Sequence, residues 1–148
     1  MGKPNALLSI GFVLIQFLCI GWILLTGPNF PVNLVLLIFE LLAIALGLWS
    51  ILVMGLKNFN IMPDVKTSGR LVTAGPYRLI RHPIYTAILI ATGVLVIDSL
   101  TLVRFAVWII LLIDLLLKVE HEERLLVQFL EGYTEYKDRT ARIIPFLY

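Results

Sequence analysis

Residues 7–26 read LLSIGFVLIQFLCIGWILLT, and residues 32–56 read VNLVLLIFELLAIALGLWSILVMGL. Each run is long enough to cross the hydrocarbon core of a bilayer as a helix, which takes about 20 apolar residues. Between the two runs, Gly27, Pro28 and Pro31 predict a break in the helix. We interpret the first run as a permanent span and not as a signal peptide, because no small-residue cleavage site and soluble domain follow it.

The composition of the whole chain agrees with a membrane protein. Of its 148 residues, 59% are hydrophobic and 15% are charged, whereas soluble domains are about half apolar and about a quarter charged. A chain of this length cannot hide so much apolar surface from water. The single cysteine, Cys19, excludes an internal disulfide framework, and a net charge of +2 gives no argument for nucleic acid as a partner. The sequence therefore predicts a small all-α integral membrane protein that forms one domain over residues 1–148.

Two further spans are predicted in the second half of the chain, which holds most of the charged residues. Pro83 precedes a short apolar run and suits the first turn of a helix. Asp98 and Ser99 separate this run from a longer one, which we expect to continue as a helix beyond the membrane until about Gly132. The predicted spans fall at residues 7–26, 32–56, 84–98 and 100–117, with a loop at 57–83 and a tail at 118–148.

The basic residues set the expected orientation. The loop contains five of them against one acid, Asp64, and the tail contains five more, whereas the turn at Pro28 contains none. Lys and Arg are enriched on the cytoplasmic side of membrane proteins. With four spans, we expect both termini, the loop and the tail in the cytoplasm, and the membrane to be the inner or plasma membrane if the source is prokaryotic.

The first segment with candidate chemistry is GPYRLIRHPIY, at residues 75–85. Its cationic, imidazole and phenol groups lie at the mouth of the third span. A positive-inside anchor with interfacial tyrosines accounts for them as well as a binding site does. However, His82 lies beside the free N–H groups of a helix start, which favour a bound anion.

The second segment is EHEER, at residues 120–124. A solvated helix face, with Asp114 and Lys118 as an i,i+4 pair, is one reading of its carboxylates. In the other reading, Glu122 and Glu123 bind a cationic ligand or a ribose diol. The two histidines and these glutamates lack the tight spacing of metal ligands, so we expect no metal, and a haem held by the histidines is equally weakly supported.

Two other features leave alternatives open. Residues 139–145 form a basic patch attracted to anionic lipid, or they supply Arg142 as a clamp for a carboxylate or phosphate. Glu40 lies inside the second span, where a carboxylate is costly; it lines a cavity or hydrogen-bonds to a neighbouring helix. We interpret Gln16 and Cys19 as packing residues.

In their order and spacing, these blocks resemble the isoprenylcysteine carboxyl methyltransferase family, which extends to small prokaryotic membrane methyltransferases and is similar to phospholipid N-methyltransferases. The resemblance covers about residues 66–148. Its blocks are Gly75-Pro76-Tyr77, Arg81-His82-Pro83-x-Tyr85, Glu122-Glu123, Phe129, Tyr133, Tyr136 and Arg142-x-x-Pro145. The chain departs from the family pattern at Ala87 and Leu130, two places where the family often has glycine.

The resemblance implies an enzyme that transfers a methyl group from S-adenosylmethionine to a lipophilic acceptor at the cytoplasmic face. It implies that Arg81 and Arg142 orient the acceptor. The implied cofactor-binding residues are Tyr77, His82, Pro83, Tyr85, Glu122 and Glu123. A carboxylate acceptor is already nucleophilic, whereas an amine acceptor needs a base, and the sequence does not decide between these two acceptors.

Two other classes of protein compete with this interpretation. One is a sterol-reductase-like protein that uses NADPH and carries a similar Arg-His-Pro segment, with Asn at the position where this chain has Ile84. The other is a non-enzymatic membrane scaffold, or a carrier of haem or lipid. In the methyltransferase interpretation, the expected partners are the lipophilic acceptor and membrane lipids, and the oligomeric state is not predicted.

Overall fold

The computed structural model describes residues 6–55 and 71–144. Over these ranges the chain forms five α-helices and one short 3-10 turn, at Gly75–Arg78. The helices are α1 (Ala6–Leu25), α2 (Leu34–Met54), α3 (Pro83–Asp98), α4 (Leu102–Phe129) and α5 (Tyr133–Arg139). The all-α class is confirmed, and the four long helices lie where the apolar runs predict them. Residues 57–70 of the predicted loop, and residue 56 at the end of the predicted second span, lie outside the described residues.

Local chemistry explains where the helices begin and end. The Asn33 side chain accepts hydrogen bonds from the backbone N–H groups of the first turn of α2, and the Thr101 hydroxyl does the same for α4. Such caps satisfy N–H groups that have no partner within the helix. Pro83 begins α3, as predicted. Gly132 has a φ of 79°, which glycine adopts without strain, and it turns the chain from α4 into α5.

The long helices pack as two pairs. α1 lies along α4 and α2 lies along α3, and α3 also contacts α4 and α1, which joins the pairs into one bundle. Ile23 of α1 and the α4 residues Leu111, Leu115 and Val119 are fully enclosed at the centre. Close approach between α2 and α3 occurs at Gly47, where an added Cβ would lie 3.4 Å from the Cβ of Ala87.

Among the described residues, two helices are long and apolar enough to cross a membrane, over Leu7–Leu25 and Leu34–Met54. The buried share is 22% in the first stretch and 17% in the second. Most of their large apolar side chains therefore point outward. A core helix of a soluble protein buries such side chains. A continuous exposed apolar surface of this size is typical of contact with lipid or with a partner.

A buried arginine closes the end of the bundle that lies far from α5. Arg104 of α4 donates hydrogen bonds to the carbonyl oxygens of Ile23 (2.7 Å) and Leu95 (2.9 Å), near the carboxyl ends of α1 and α3. These carbonyls carry the negative end of each helix dipole, so the cation is well placed. Gly27 leaves room for the guanidinium, because a Cβ there would lie 2.5 Å from Arg104 Nη1.

At the opposite end, the segment before α3 pairs with the segment after α5. Ile80 and Ala141 form an isolated parallel bridge. The N–H of Arg81 donates to the carbonyl of Ala141 (2.8 Å), and the N–H of His82 donates to the carbonyl of Arg142 (3.0 Å). This pairing brings the end of the described chain against the start of α3.

Candidate functional site

A cluster of charged and aromatic side chains lies where the start of α3, the last third of α4 and the segment after α5 meet. The backbone pairing at Ile80 and Ala141 fixes the positions of Arg81 and Arg142. Glu122 and Glu123 reach the same place from α4. All these groups lie at the end of the bundle opposite Arg104.

Glu123 is the centre of the ionic contacts. It is 1% exposed, and its Oε1 accepts a hydrogen bond from Arg81 Nε at 2.7 Å. Its Oε2 lies 3.2 Å from Arg142 Nε and 3.4 Å from Lys137 Nζ. One buried carboxylate therefore holds three cations that come from two distant parts of the chain.

Arg81 is itself held on several sides. Besides Glu123, its Nη1 donates to the carbonyl oxygens of Lys137 (2.8 Å) and Thr140. The Arg81 side chain is 6% exposed, whereas that of Arg142 is 20% exposed and also contacts Glu120 Oε2 at 2.9 Å. Of the two predicted acceptor-orienting arginines, Arg142 is therefore the more accessible.

Glu122 takes different partners from its neighbour Glu123. Tyr85 donates its hydroxyl to Glu122 Oε1 at 2.5 Å. His82 lies between the two carboxylates, with Nδ1 3.6 Å from Glu122 Oε2 and Nε2 3.4 Å from Glu123 Oε1. The rings of His82 and Tyr85 are stacked, with centroids 5.6 Å apart and an interplanar angle of 5°. Together these contacts form a polar surface with a flat aromatic side.

The surroundings raise the pKa of Glu122 and lower the pKa of Glu123. Burial raises the pKa of Glu122, against the opposing effects of His82 and the Tyr85 hydroxyl. Burial also acts to raise the pKa of Glu123, but the interactions with His82 and Arg81 outweigh it and lower that pKa to about 2. Glu123 is thus ionised at neutral pH, whereas burial makes ionisation of Glu122 less favourable.

Three tyrosines line the cluster from the 3-10 turn and from α5. Tyr77 and Tyr133 are both 3% exposed, and the hydroxyl of Tyr136 donates to the carbonyl of Tyr77 at 2.7 Å. Burial raises the pKa of Tyr77 and Tyr133 well above the ordinary value, so both are neutral phenols at neutral pH. They supply apolar ring faces together with hydroxyl groups.

The structure thus brings the predicted acceptor-orienting and cofactor-binding residues into one region, except that Pro83 contributes the start of α3 and not a polar contact. Burial of Glu123 and Lys118 excludes a solvated face on that side of α4, whereas Glu120 and Arg124 form an exposed i,i+4 ion pair at 3.2 Å, as that interpretation predicts. Ala87 faces Gly47 of α2, so a glycine on the facing helix accommodates its methyl group. Leu130 ends α4 in an extended conformation. Pro145 lies outside the described residues.

Sequence reasoning missed three contributors. Lys137 reaches Glu123 from α5. Lys118 is 1% exposed, and its Nζ lies 2.8 Å from the Oε1 of Gln16, which was predicted to be a packing residue. The signal available for Lys118 was its spacing of one helical turn before Glu122, which places both side chains on one face of α4.

The fold and the site define a class of protein: a helical bundle whose exposed apolar surfaces are typical of contact with lipid, with a buried, charged site at one end. The family model for the isoprenylcysteine carboxyl methyltransferase (ICMT) family matches residues 34–128, and the chain belongs to that family. Members are membrane-embedded methyltransferases that use S-adenosylmethionine and act on a lipophilic acceptor. None of the curated proteins matches the chain.

The matched range covers α2, α3 and most of α4, and so includes Arg81, His82 and the Glu122–Glu123 pair. It begins earlier than the resemblance found in the sequence, which treated α2 as a generic membrane helix. α1 and α5 lie outside it, and so does Arg142.

The residues present fit S-adenosylmethionine. Within residues 6–55 and 71–144, the buried hydroxyl oxygens of Tyr77 and Tyr133 in the site have no hydrogen-bond partner, whereas His82 Nε2 and Glu123 Oε2 make only ion-pair contacts of 3.2–3.4 Å. Buried polar atoms ordinarily have such partners. The ammonium and ribose hydroxyls of the cofactor are donors for carboxylates, and its adenine nitrogens and carboxylate are acceptors for phenol, imidazole and guanidinium groups.

Proposed function

We propose that this protein transfers a methyl group from S-adenosylmethionine to the carboxylate of an isoprenoid or lipid-like acceptor at the cytoplasmic face of the membrane. The observation that carries the proposal is the direct contact between two segments 42 residues apart, in which Arg81 donates to Glu123 at 2.7 Å. This contact brings the His82–Tyr85 stack beside the carboxylate pair of α4.

The proposed cofactor-binding residues divide by chemistry. Glu122 accepts from ammonium or hydroxyl donors, and the stacked rings of His82 and Tyr85 offer a flat surface to an adenine or to the sulfonium. Tyr77 closes one side with a buried ring. Pro83 begins α3 and thereby holds His82 at the N-cap of the helix, where the positive end of the helix dipole favours the cofactor carboxylate.

The proposed role of Glu123 is to hold Arg81 and Arg142 in place. S-adenosylmethionine supplies an electrophilic methyl group when bound. The protein then contributes alignment and exclusion of water, which is what a displacement on a sulfonium needs most. Arg142 orients the acceptor carboxylate. Arg81 is less accessible and acts indirectly, through its contact with Glu123, which in turn contacts Arg142.

We infer four membrane spans, α1 to α4, in a single domain. The three charged residues in the apolar part of α4, Arg104, Asp114 and Lys118, are between 1% and 5% exposed, so their charges face the bundle and not the lipid. α3, with 16 residues, is about 24 Å long, and local thinning of the bilayer accommodates this length. The basic loop and tail then lie in the cytoplasm with both termini.

The test is calorimetric titration of the detergent-purified protein with S-adenosylmethionine and, separately, with S-adenosylhomocysteine. We expect saturable binding at one site per chain for both. Folded protein that gives no heat with either compound refutes the proposal. Titration with NADPH and the visible absorption spectrum then examine the reductase-like and haem-carrier alternatives directly.

A further inference from the structure

A buried lysine lies behind the proposed site. Lys118 precedes Glu122 by one helical turn on α4 and is 1% exposed. Its Nζ lies 2.8 Å from Gln16 Oε1 and 5.1 Å from the centre of the Tyr85 ring. The Tyr85 hydroxyl in turn donates to Glu122 at 2.5 Å.

We propose that Lys118, held by Gln16 of α1, is a positioning residue that fixes the Tyr85 ring and thereby the carboxylate of Glu122. The meaning of this role for catalysis rests on the function proposed above. The contacts form a chain from α1 through Lys118 and Tyr85 to Glu122. α1 lies outside the part of the chain that matches the family, so the proposal gives this helix a part in the site.

The energetics favour a role in orientation. An ammonium over an aromatic face is attracted by the ring, and this attraction is stronger where water is excluded. The ring of a phenol can turn about its bonds unless contacts to the ring and to the hydroxyl hold it. Lys118 and His82 contact the ring of Tyr85 and Glu122 engages its hydroxyl, so loss of Lys118 removes one of three contacts that orient the ring.

The charge of Lys118 also bears on Glu122. The lysine faces Asp114 and Glu122 on its own helix, Gln16 on α1 and Tyr85 on α3. The positive charge of Lys118 therefore acts to lower the pKa of Glu122, whereas burial acts to raise it. Replacement of the cation by an apolar group is expected to disturb both the position and the charge of that carboxylate.

Arg104 provides a matched control on the same helix. It is 2% exposed and, like Lys118, contacts α1, through the carbonyl of Ile23. However, it lies at the opposite end of the bundle from the cluster. Arg104→Met therefore removes a buried cation from α4 without changing a contact of the proposed site.

The experiment compares wild type with Lys118→Met, Lys118→Arg, Gln16→Leu and Arg104→Met. Affinity for S-adenosylmethionine is measured by calorimetry at a temperature where each variant is folded. In parallel, the tyrosines are labelled as 3-fluorotyrosine, and the fluorine resonance of Tyr85 is assigned by its loss in Tyr85→Phe. The resonance reports the surroundings of the ring without any cofactor.

We expect Lys118→Met to shift the Tyr85 resonance and to weaken binding by about tenfold or more, which corresponds to about 1.4 kcal/mol. Lys118→Arg keeps the cation and is expected to retain more of the affinity, and Gln16→Leu to give a smaller change in the same direction. Arg104→Met is expected to leave both readouts unchanged. If Lys118→Met does not fold, the Tyr85 resonance and the cofactor affinity of Gln16→Leu and Lys118→Arg provide the test instead.

An unchanged Tyr85 resonance together with wild-type affinity in Lys118→Met overturns the inference. Equal losses in Lys118→Met and Arg104→Met also overturn it, because a buried cation would then matter only for the bundle as a whole. If wild type itself does not bind the cofactor, the proposed function fails, whereas the fluorine spectra still decide whether Lys118 positions Tyr85.

Discussion

Replacement of Glu123 by glutamine is the most informative single change, because it removes the one negative charge that three cations contact. Arg81 Nε, Arg142 Nε and Lys137 Nζ all lie within 3.4 Å of the Glu123 carboxylate. The Arg81 side chain is 6% exposed, so water cannot replace the lost partner. Removal of one member of a buried ion pair typically destabilises a protein by about 3–5 kcal/mol.

Glutamine keeps one carbonyl oxygen for Arg81 Nε, so we expect the lower bound, about 3 kcal/mol. For a chain of this size, that corresponds to a melting midpoint lowered by roughly 6–12 °C. The assay is thermal unfolding in detergent, followed by circular dichroism. Glu122→Gln is the control, since Tyr85 can still donate to the amide oxygen, and its midpoint is expected to fall by no more than about 4 °C.

The same residue gives the wild type a pH dependence. The pKa of Glu123 lies at about 2 in the folded protein, below its ordinary value of 4.5. Stabilisation by a carboxylate with a lowered pKa is complete above the ordinary pKa and is lost as the pH falls toward the folded value. The difference in midpoint between wild type and Glu123→Gln should therefore shrink between about pH 5 and about pH 2. A midpoint for Glu123→Gln within about 2 °C of wild type at neutral pH, or a difference independent of pH, would refute the reasoning.

Further variants separate cofactor binding, acceptor binding and packing. Glu122→Gln should weaken binding of S-adenosylmethionine by about tenfold or more in calorimetry, because its carboxylate is the proposed acceptor for the cofactor's donors; unchanged affinity would move the cofactor away from Glu122. Arg142→Ala should leave that affinity within about threefold of wild type and abolish methyl transfer to any lipophilic carboxylate that the wild type methylates, since a guanidinium–carboxylate contact is lost; loss of cofactor binding instead would place Arg142 in the cofactor site. Gly27→Ala should cost roughly 1–3 kcal/mol in thermal unfolding, because its Cβ would lie 2.5 Å from Arg104 Nη1. Gly11→Ala is the control, with nothing within 4 Å of its added Cβ, and equal effects of the two substitutions would contradict this account.

The helices were predictable because their signals are local. Unbroken apolar runs predict α1 and α2, and Pro83 and Gly132 mark the start of α3 and the turn after α4. Each of these signals acts on residues within one or two turns of itself, so the sequence was sufficient to find the bounds.

The partners of the charged side chains were not predictable in the same way. Glu122 and Glu123 are adjacent, and on a helix their side chains point about 100° apart. Which of them meets Arg81 depends on the rotation of α4 against α3 and on the path of residues 140–142. That path is fixed by a bridge between Ile80 and Ala141, 61 positions apart, which is too short to leave a strand-like pattern in the sequence.

Gln16 illustrates the same limit. A single amide in an apolar helix reads as a packing residue, and only the vertical offset between α1 and α4 places it beside Lys118. The two helices are separated by about 80 residues along the chain, and their offset is set by packing along the whole interface between α1 and α4. Such offsets depend on the whole interface, so periodicity within one helix does not reveal them.

The pairing of residues 79–82 with residues 141–142 has a consequence for biosynthesis. In the four-span topology proposed above, α1 to α4 enter the bilayer in the order in which the ribosome produces them, but the partners of Arg81 at Thr140 and of Glu123 at Arg142 are translated afterwards. A chain released before these residues would insert its helices and remain with the membrane on fractionation, yet its arginine and its carboxylate would face water at the interface. Quality control that monitors insertion alone would pass such a chain, whereas a protease acting on the membrane face that carries the site would distinguish it.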